Sequence, residues 1–188
     1  MTKSYDLIVI GAGMAGVAAA NKCAAQGWQV AIVDVLPYGG TCALRGCDPK
    51  KILRRGAEII DNARLMHGKG IDDTALSINW SDLMKHKRGF TDPVPQNLER
   101  DLASRGVDTL HGRARFTDKT RVEIDGAPFE AGHFLIASGA RPRPLDSRRG
   151  TAPVVTTDAV NQLEGLTGCR MKPGSPGVAG RSLLEGWG

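Results

Sequence analysis

The stretch GGTCALRGCDPKK, residues 39–51, concentrates the reactive chemistry of the chain. Cys42 and Cys47 stand five residues apart, with paired glycines before them and Lys50 and Lys51 after. In a regular helix, residues at that spacing diverge by about 140°, and their Cα atoms lie too far apart for a disulfide. The two thiols therefore cannot bond from within a straight helix. They can bond where Cys42 occupies a loop or a distorted first turn and Cys47 lies just inside the helix. Gly39 and Gly40 supply such a loop, Thr41 offers a cap, and Pro49 fits a first turn or a kink but not a regular interior. A helix amino terminus beside Arg45, Lys50 and Lys51 favours thiolate, and a pair so placed suggests reversible redox chemistry. Competing readings are structural thiols, half a zinc site, or basic residues that only solvate a helix face. The zinc reading is the weaker, because the spacing is not C-x2-4-C and no second Cys/His pair follows. For Arg54 and Arg55 the solvated face is preferred.

Stepping outward, YDLIVI (5–10) reads as a buried parallel strand ending at Gly11. GAGMAG follows, with Gly11, Gly13 and Gly16 in G-x-G-x-x-G spacing. An Ala-rich helix runs to about Gln26 and stops at Gly27. WQVAIVD (28–34) is a second strand with Asp34 at its tip. The glycine pattern alone is weak. Between a strand and a helix, with an acid on the next strand, it is the mark of a dinucleotide cradle. Gly11 allows the tight turn, Gly13 the approach of a pyrophosphate, and Gly16 the close packing of helix on strand. The helix amino terminus receives phosphate charge, and Asp34 can accept hydrogen bonds from a ribose diol. The bland alternative is a βαβ turn without a ligand.

The 188 residues suffice for one ordinary domain, and 41% hydrophobic residues support a core. The net charge of +5 is dispersed, without the basic stripe and interleaved aromatics of a nucleic-acid surface. Four cysteines are too few for a disulfide-stapled scaffold, and Cys23 reads as a buried thiol in the first helix. The apolar run at 7–20 is interrupted by glycines and too short to span a bilayer. A cytoplasmic protein with no membrane and no nucleic-acid partner is expected.

The cysteine segment resembles that of the flavoprotein disulfide reductases, among them glutathione reductase, dihydrolipoamide dehydrogenase and mercuric reductase. Their pattern G-G-T-C-x4-C-x-P-[KS]-K follows a G-x-G-x-x-G unit, as here. FLIASGARP (134–142) is similar to their A-T-G-x-x-P segment, with Ser138 for Thr, and LHGRARF (110–116) to their stretch near the adenine of FAD. The resemblance spans about Tyr5 to Leu166. It implies an α/β, Rossmann-like FAD-binding domain, a parallel sheet with a small antiparallel meander, over residues 1–166, and an altered or disordered tail over 167–188.

The resemblance also implies roles. Cys47 would lie against the flavin and Cys42 would attack the substrate disulfide. Gly11, Gly13, Met14, Ala15, Gly16 and Asp34 would hold pyrophosphate and ribose. Gly40, Thr41, Lys50 or Lys51, Ser138 and Gly139 would line the cofactor, and Ala114 would meet the adenosine through its backbone. Electrons would pass from NAD(P)H to FAD, to the Cys42–Cys47 disulfide, to a small disulfide. Lys50-Lys51 leans toward a glutathione-like substrate. Asp48 departs from the usual Val or Ile.

After the cysteine segment, KKILRRGAEIIDNARLM has helical periodicity. A helix should start near Asn79 or Ser81, break at Pro93 and Pro95, and resume to Gly106. Short strands follow, with Asp125-Gly126 as a hairpin turn. The four histidines read as surface or packing residues. TGCRMKPGSPGVAGRSLLEGWG, with Cys169 as an exposed thiol, takes the place of the second nucleotide-binding unit of the family. The nicotinamide-binding domain, the returning segment with a ribityl-binding acid, and the interface domain of the family homodimer, with its His–Glu pair, are not visible. An inactive flavin-binding fragment is therefore one alternative function. A thiol redox or metal module without flavin is another.

Overall fold

Leu7, Ile8 and Val9 point to alternate faces of the first strand, yet all are buried. That is the signature of a parallel strand covered on both sides. The computed structural model describes residues 3–141 and 157–161. The elements are β1 (Lys3–Ile10), α1 (Met14–Ala24), β2 (Val30–Asp34), α2 (Gly40–Leu44), α3 (Cys47–Leu65), α4 (Trp80–Thr91), α5 (Val94–Ser104), β3 (Val107–His111), β4 (Ala114–Asp118), β5 (Arg121–Ile124), β6 (Ala127–Ile136) and α6 (Thr157–Val160). They fall into two units. The described residues of the first are 3–44 and 92–141, and those of the second are 45–91 and 157–161.

The first unit holds one six-stranded sheet in the order β3-β2-β1-β6-β5-β4. β3, β2, β1 and β6 run parallel, and β5 and β4 pair antiparallel. β3 and β4 lie at opposite edges, which a flat sheet would separate by about 24 Å at ~4.8 Å per strand. Only Gly112 and Arg113 join them, a reach of about 11 Å over three Cα steps. The β4–β5 hairpin must therefore curl back over one face. The packing agrees: Val122 and Ile124 of β5 share a core with Tyr5, Ile8, Ala31 and Val33. The opposite face carries Leu7, Val9, Val30 and Ile32 against Ala20 of α1 and Leu102 of α5. Helices, parallel strands and meander thus form three layers, the α/β architecture expected of the sequence.

The punctuation follows the residues. Gly27 ends α1 at φ +84°, and Gly106 follows α5 at φ +78°. Pro95 sits in the first turn of α5, where its missing N–H is no loss. Asp125 and Gly126 take positive φ in a two-residue turn between paired Ile124 and Ala127. Cys23 is only partly buried, packed at the edge of the α1-side core. In the second unit, Pro49, Leu53, Ala57 and Ile60 form the buried stripe of α3. Met84, Lys87 and Thr91 form that of α4. Gly56 lets the pair approach, since a Cβ there would sit 3.2 Å from Leu83. The expected tail 167–188, with Cys169, lies outside the described residues. Among the described residues no helix is long and apolar enough to cross a membrane.

Candidate functional site

At the carboxyl ends of β1, β2 and β6, main chain crowds on main chain. Gly11 has φ +113°, and a Cβ there would lie 2.3 Å from the Ala137 carbonyl oxygen. Its N–H donates to Val33 O, and Ala137 N–H donates to Ile10 O. A Cβ on Gly16 would lie 1.9 Å from Gly11 O and 3.1 Å from Val9. These are the tight turn and the close helix–strand contact that the spacing predicts. Gly13 differs. Its φ is −87°, and an added Cβ would meet nothing nearer than the Gly40 Cα at 3.8 Å. Gly13 is also the N-cap of α1, and no side chain caps it. The N–H groups of the first turn, at Met14 and Ala15, have no intrahelical acceptor, and both residues are exposed. This is a fit for an anion such as a pyrophosphate.

Gly40, at φ +64°, completes the cradle, because a Cβ there would lie 2.7 Å from the Gly13 Cα. Gly39 N–H donates to Ala12 O at 3.0 Å. The two glycine segments are thus one surface. Asp34 joins them: Oδ2 accepts Ala12 N–H at 2.7 Å and Oδ1 accepts Leu36 N–H at 2.9 Å. Gly112 N–H donates to the Asp34 main-chain carbonyl at 3.1 Å, which brings the start of β4, with Ala114, next to Asp34. Ser138 and Gly139 are exposed just beyond Ala137, beside Gly11. A cleft of about 500 Å³ opens among Met14, Val17, Gly39, Ala43, Val94 and Leu98.

One residue here gave no sequence signal. Tyr38 is fully buried just before the glycine pair. Its hydroxyl lies 2.8 Å from Ile32 O and 2.7 Å from Leu110 O, and accepts Leu110 N–H at 3.0 Å. Burial pushes its phenol well above the ordinary pKa, so it stays a neutral hydroxyl. Its ring packs on His111, whose Nε2 is 3.2 Å from Glu99. Tyr38 pins the chain from which Gly39 and Gly40 turn back.

The cysteine segment departs from expectation. Instead of a loop followed by one helix, there are two helices broken at Arg45–Gly46. Cys42 is the third residue of α2, half-buried, and Cys47 is the first residue of α3, exposed. Thr41 caps neither helix: it lies within α2, and Gly46 is the N-cap of α3, without a side-chain cap bond. Gly46, at φ −127° and ψ −106°, offers no side chain for a cap. Pro49 lies buried in the first turn of α3, as its chemistry allows. Neither Cys42 nor Cys47 is in a disulfide. Cys42 belongs to the first unit; Cys47, Lys50 and Lys51 belong to the second, where both lysines are exposed on α3.

Within the second unit the α3 start is held by side chains that sequence reasoning missed. Asn161 Nδ2 donates to Arg45 O at 2.8 Å, and Lys87 Nζ donates to Asn161 O at 2.9 Å. Asp158 lies 3.7 Å from Arg45 Nε. Lys87 and Asn161 are almost wholly buried. Among the described residues no three of His, Cys, Asp and Glu gather as a metal site.

A family model for pyridine nucleotide-disulphide oxidoreductases matches residues 5–168. The chain belongs to that family. The chain is 35% identical over 159 residues to a glutathione reductase of Burkholderia cepacia, covering 85% of itself and 35% of that protein. It is 29% identical over 169 residues to a dihydrolipoyl dehydrogenase of Chlamydia pneumoniae, covering 88% and 37%. A dihydrolipoyl dehydrogenase of Mycoplasma pneumoniae is 31% identical over 170 residues, with 87% and 37% covered. The chain therefore spans little more than a third of the length of these relatives.

Proposed function

We propose that the chain forms an FAD-binding portion of a disulfide oxidoreductase, with Cys42 and Cys47 as the redox pair. The observation that carries the reading is the vacant space over Gly13 at an uncapped helix amino terminus. The pyrophosphate would take the N–H groups of Met14 and Ala15. Asp34 keeps lone pairs on both oxygens for a ribose diol. Ala114 would face the adenosine, Gly40, Thr41, Ser138 and Gly139 the middle of the cofactor, and Lys50 or Lys51 an anionic ring. The FAD-binding part would run over residues 1–166, with 167–188 a separate tail.

Bound FAD would supply the two-electron transfer from NAD(P)H that returns the pair to thiols. The chemistry of the chain itself is thiol exchange. The Cys42 thiolate attacks one sulfur of a small disulfide, forming a mixed disulfide and releasing one thiolate. The Cys47 thiolate then displaces the second, leaving the Cys42–Cys47 disulfide. Lys50-Lys51 and the similarity to a glutathione reductase support a glutathione-like substrate. A cytoplasmic location fits the same reading, and the homodimer of the family belongs to its interface domain.

A second reading concerns the 188-residue chain alone: it binds flavin without turning over. Its support is the single G-x-G-x-x-G in the sequence, which leaves NAD(P)H without a second cradle of that kind. One experiment addresses both readings. The chain is purified with FAD, and its absorbance is followed on addition of dithiol and then, separately, of NADPH. A flavin spectrum that gains a long-wavelength band with dithiol, lost in Cys47→Ser, is the expected result. Protein that never retains flavin overturns both readings. Rapid bleaching by NADPH overturns the second.

A further inference from the structure

Asp34 does more than present a carboxylate to a ribose. Each of its oxygens already accepts a main-chain N–H, from Ala12 at 2.7 Å and from Leu36 at 2.9 Å. The Ala12 bond reaches into the middle of the G-x-G turn. Ala12 is fully buried, and its carbonyl is held in turn by Gly39 N–H at 3.0 Å. Both polar groups of this residue are therefore gripped: the N–H by Asp34, the C=O by the second glycine segment. The two peptide planes flanking Ala12 lead into Gly13, so fixing them fixes how the chain enters α1. The Leu36 bond turns the chain after β2 toward Tyr38 and Gly39. The same side chain thus sets both segments that meet at Gly13 and Gly40, where the backbones approach so closely that a Cβ on Gly40 would lie 2.7 Å from Gly13.

Hydrogen bonds to an ionised acceptor are roughly twice as strong as neutral ones. A carboxylate is acceptor-only, so it can serve both N–H groups at once; an amide side chain has one oxygen and serves only one of them. We propose that Asp34 is a positioning residue, the brace that holds the Gly11–Gly13 turn and the Gly39–Gly40 segment in the shape that receives a pyrophosphate, independently of any contact with ribose. The proposal rests on the reading of the chain as nucleotide-binding.

The test separates brace from ribose ligand. ADP and 2′,3′-dideoxy-ADP carry the same pyrophosphate, and only ADP has the diol. Their affinities for the full 188-residue chain are measured by calorimetry for wild type, Asp34→Asn and Asp34→Ala. Amide exchange is followed in the ligand-free proteins. A brace makes Asp34→Ala weaken dideoxy-ADP on the order of tenfold, and ADP at least as much. It also speeds exchange at Ala12 and Gly39 while Val9 and Ile32 stay protected. General destabilisation would speed all four. Unchanged dideoxy-ADP affinity, with Ala12 still protected, overturns the brace and leaves Asp34 a ribose ligand. If wild type binds neither ADP nor FAD, the nucleotide reading fails. Exchange at Ala12 then decides the brace: lost protection in Asp34→Asn supports it, and retained protection overturns it. Asp34→Asn, the milder change, carries the same readouts if Asp34→Ala does not fold.

Discussion

The glycine cradle of the first unit and the amino-terminal turn of α3 in the second both begin a helix without a side-chain cap on its N-terminal N–H groups. They are held by opposite means. The cradle is held by main chain pressed on main chain, at Gly11 against Ala137, Gly16 against Gly11 and Gly40 against Gly13. The α3 start is held by side chains reaching to main chain, Asn161 on Arg45 and Lys87 on Asn161. At those three glycines the first leaves no room for a single added carbon. The second depends on buried polar partners. The difference teaches where each kind of site is vulnerable: one to size, the other to polarity.

The sharpest way to break the comparison is in the cradle. Gly16→Ala places a carbon 1.9 Å from Gly11 O and should cost more than about 3 kcal/mol, measured by urea unfolding. Gly13→Ala, with 3.8 Å of clearance, should stay within about 1 kcal/mol of wild type while weakening nucleotide binding. Equal losses at the two positions would end the claim that Gly13 faces open space.

The second unit should respond less. Lys87→Ala leaves the Asn161 carbonyl without the Lys87 donor inside the unit, at a cost of about 2 kcal/mol. Amide exchange should quicken at Lys50, whose N–H bonds Gly46 O, while the sheet amides hold. Loss of protection across the sheet as well would show that the two regions are not separately held.

The smallest effect lies at the far end of the sheet. The Lys3 ammonium, hydrogen-bonded at 2.6 Å, holds Asp108 below the ordinary carboxylate pKa of 3.8. A depressed folded-state pKa means stability that is present at neutral pH and fades as pH falls below 3.8 toward the folded value. Asp108→Asn should flatten that acid limb and leave the neutral-pH cradle and α3 start alone, as followed by thermal unfolding at several pH values. A surface pair of this kind contributes little to stability.

The same contrast explains what could be read from the residues. Gly11 and Gly16 announced the tight turn and the close helix–strand contact, because a missing side chain at fixed spacing is itself the constraint. Asp125-Gly126 was legible for the same reason, since few other pairs accept two positive φ values. Continuous apolar runs in YDLIVI and VAIVD marked the parallel strands. Side-chain bridges carry no such mark. Nothing about Tyr38, Lys87 or Asn161 in sequence tells that a hydroxyl will join two strands or that a lysine will be buried. Thr41 misled because threonine is a common cap, whereas the N-cap of α3 is Gly46. The second bond of Asp34, to Ala12, was hidden because the pattern already assigned that carboxylate a ligand.

β6 has a consequence for how the protein is made. Its first residues close the hairpin with β5, and its later ones lie parallel to β1. Among the described strands of the sheet, β1 leaves the ribosome first and β6 last. One hydrogen-bonding edge of β1 must therefore wait through the synthesis of nearly every other described element before its partner exists. Such late, long-range pairing slows folding, and an open edge recruits other strands. Nascent chains halted before Ile136 should be the aggregation-prone and chaperone-dependent ones, and a few residues more of synthesis should relieve them.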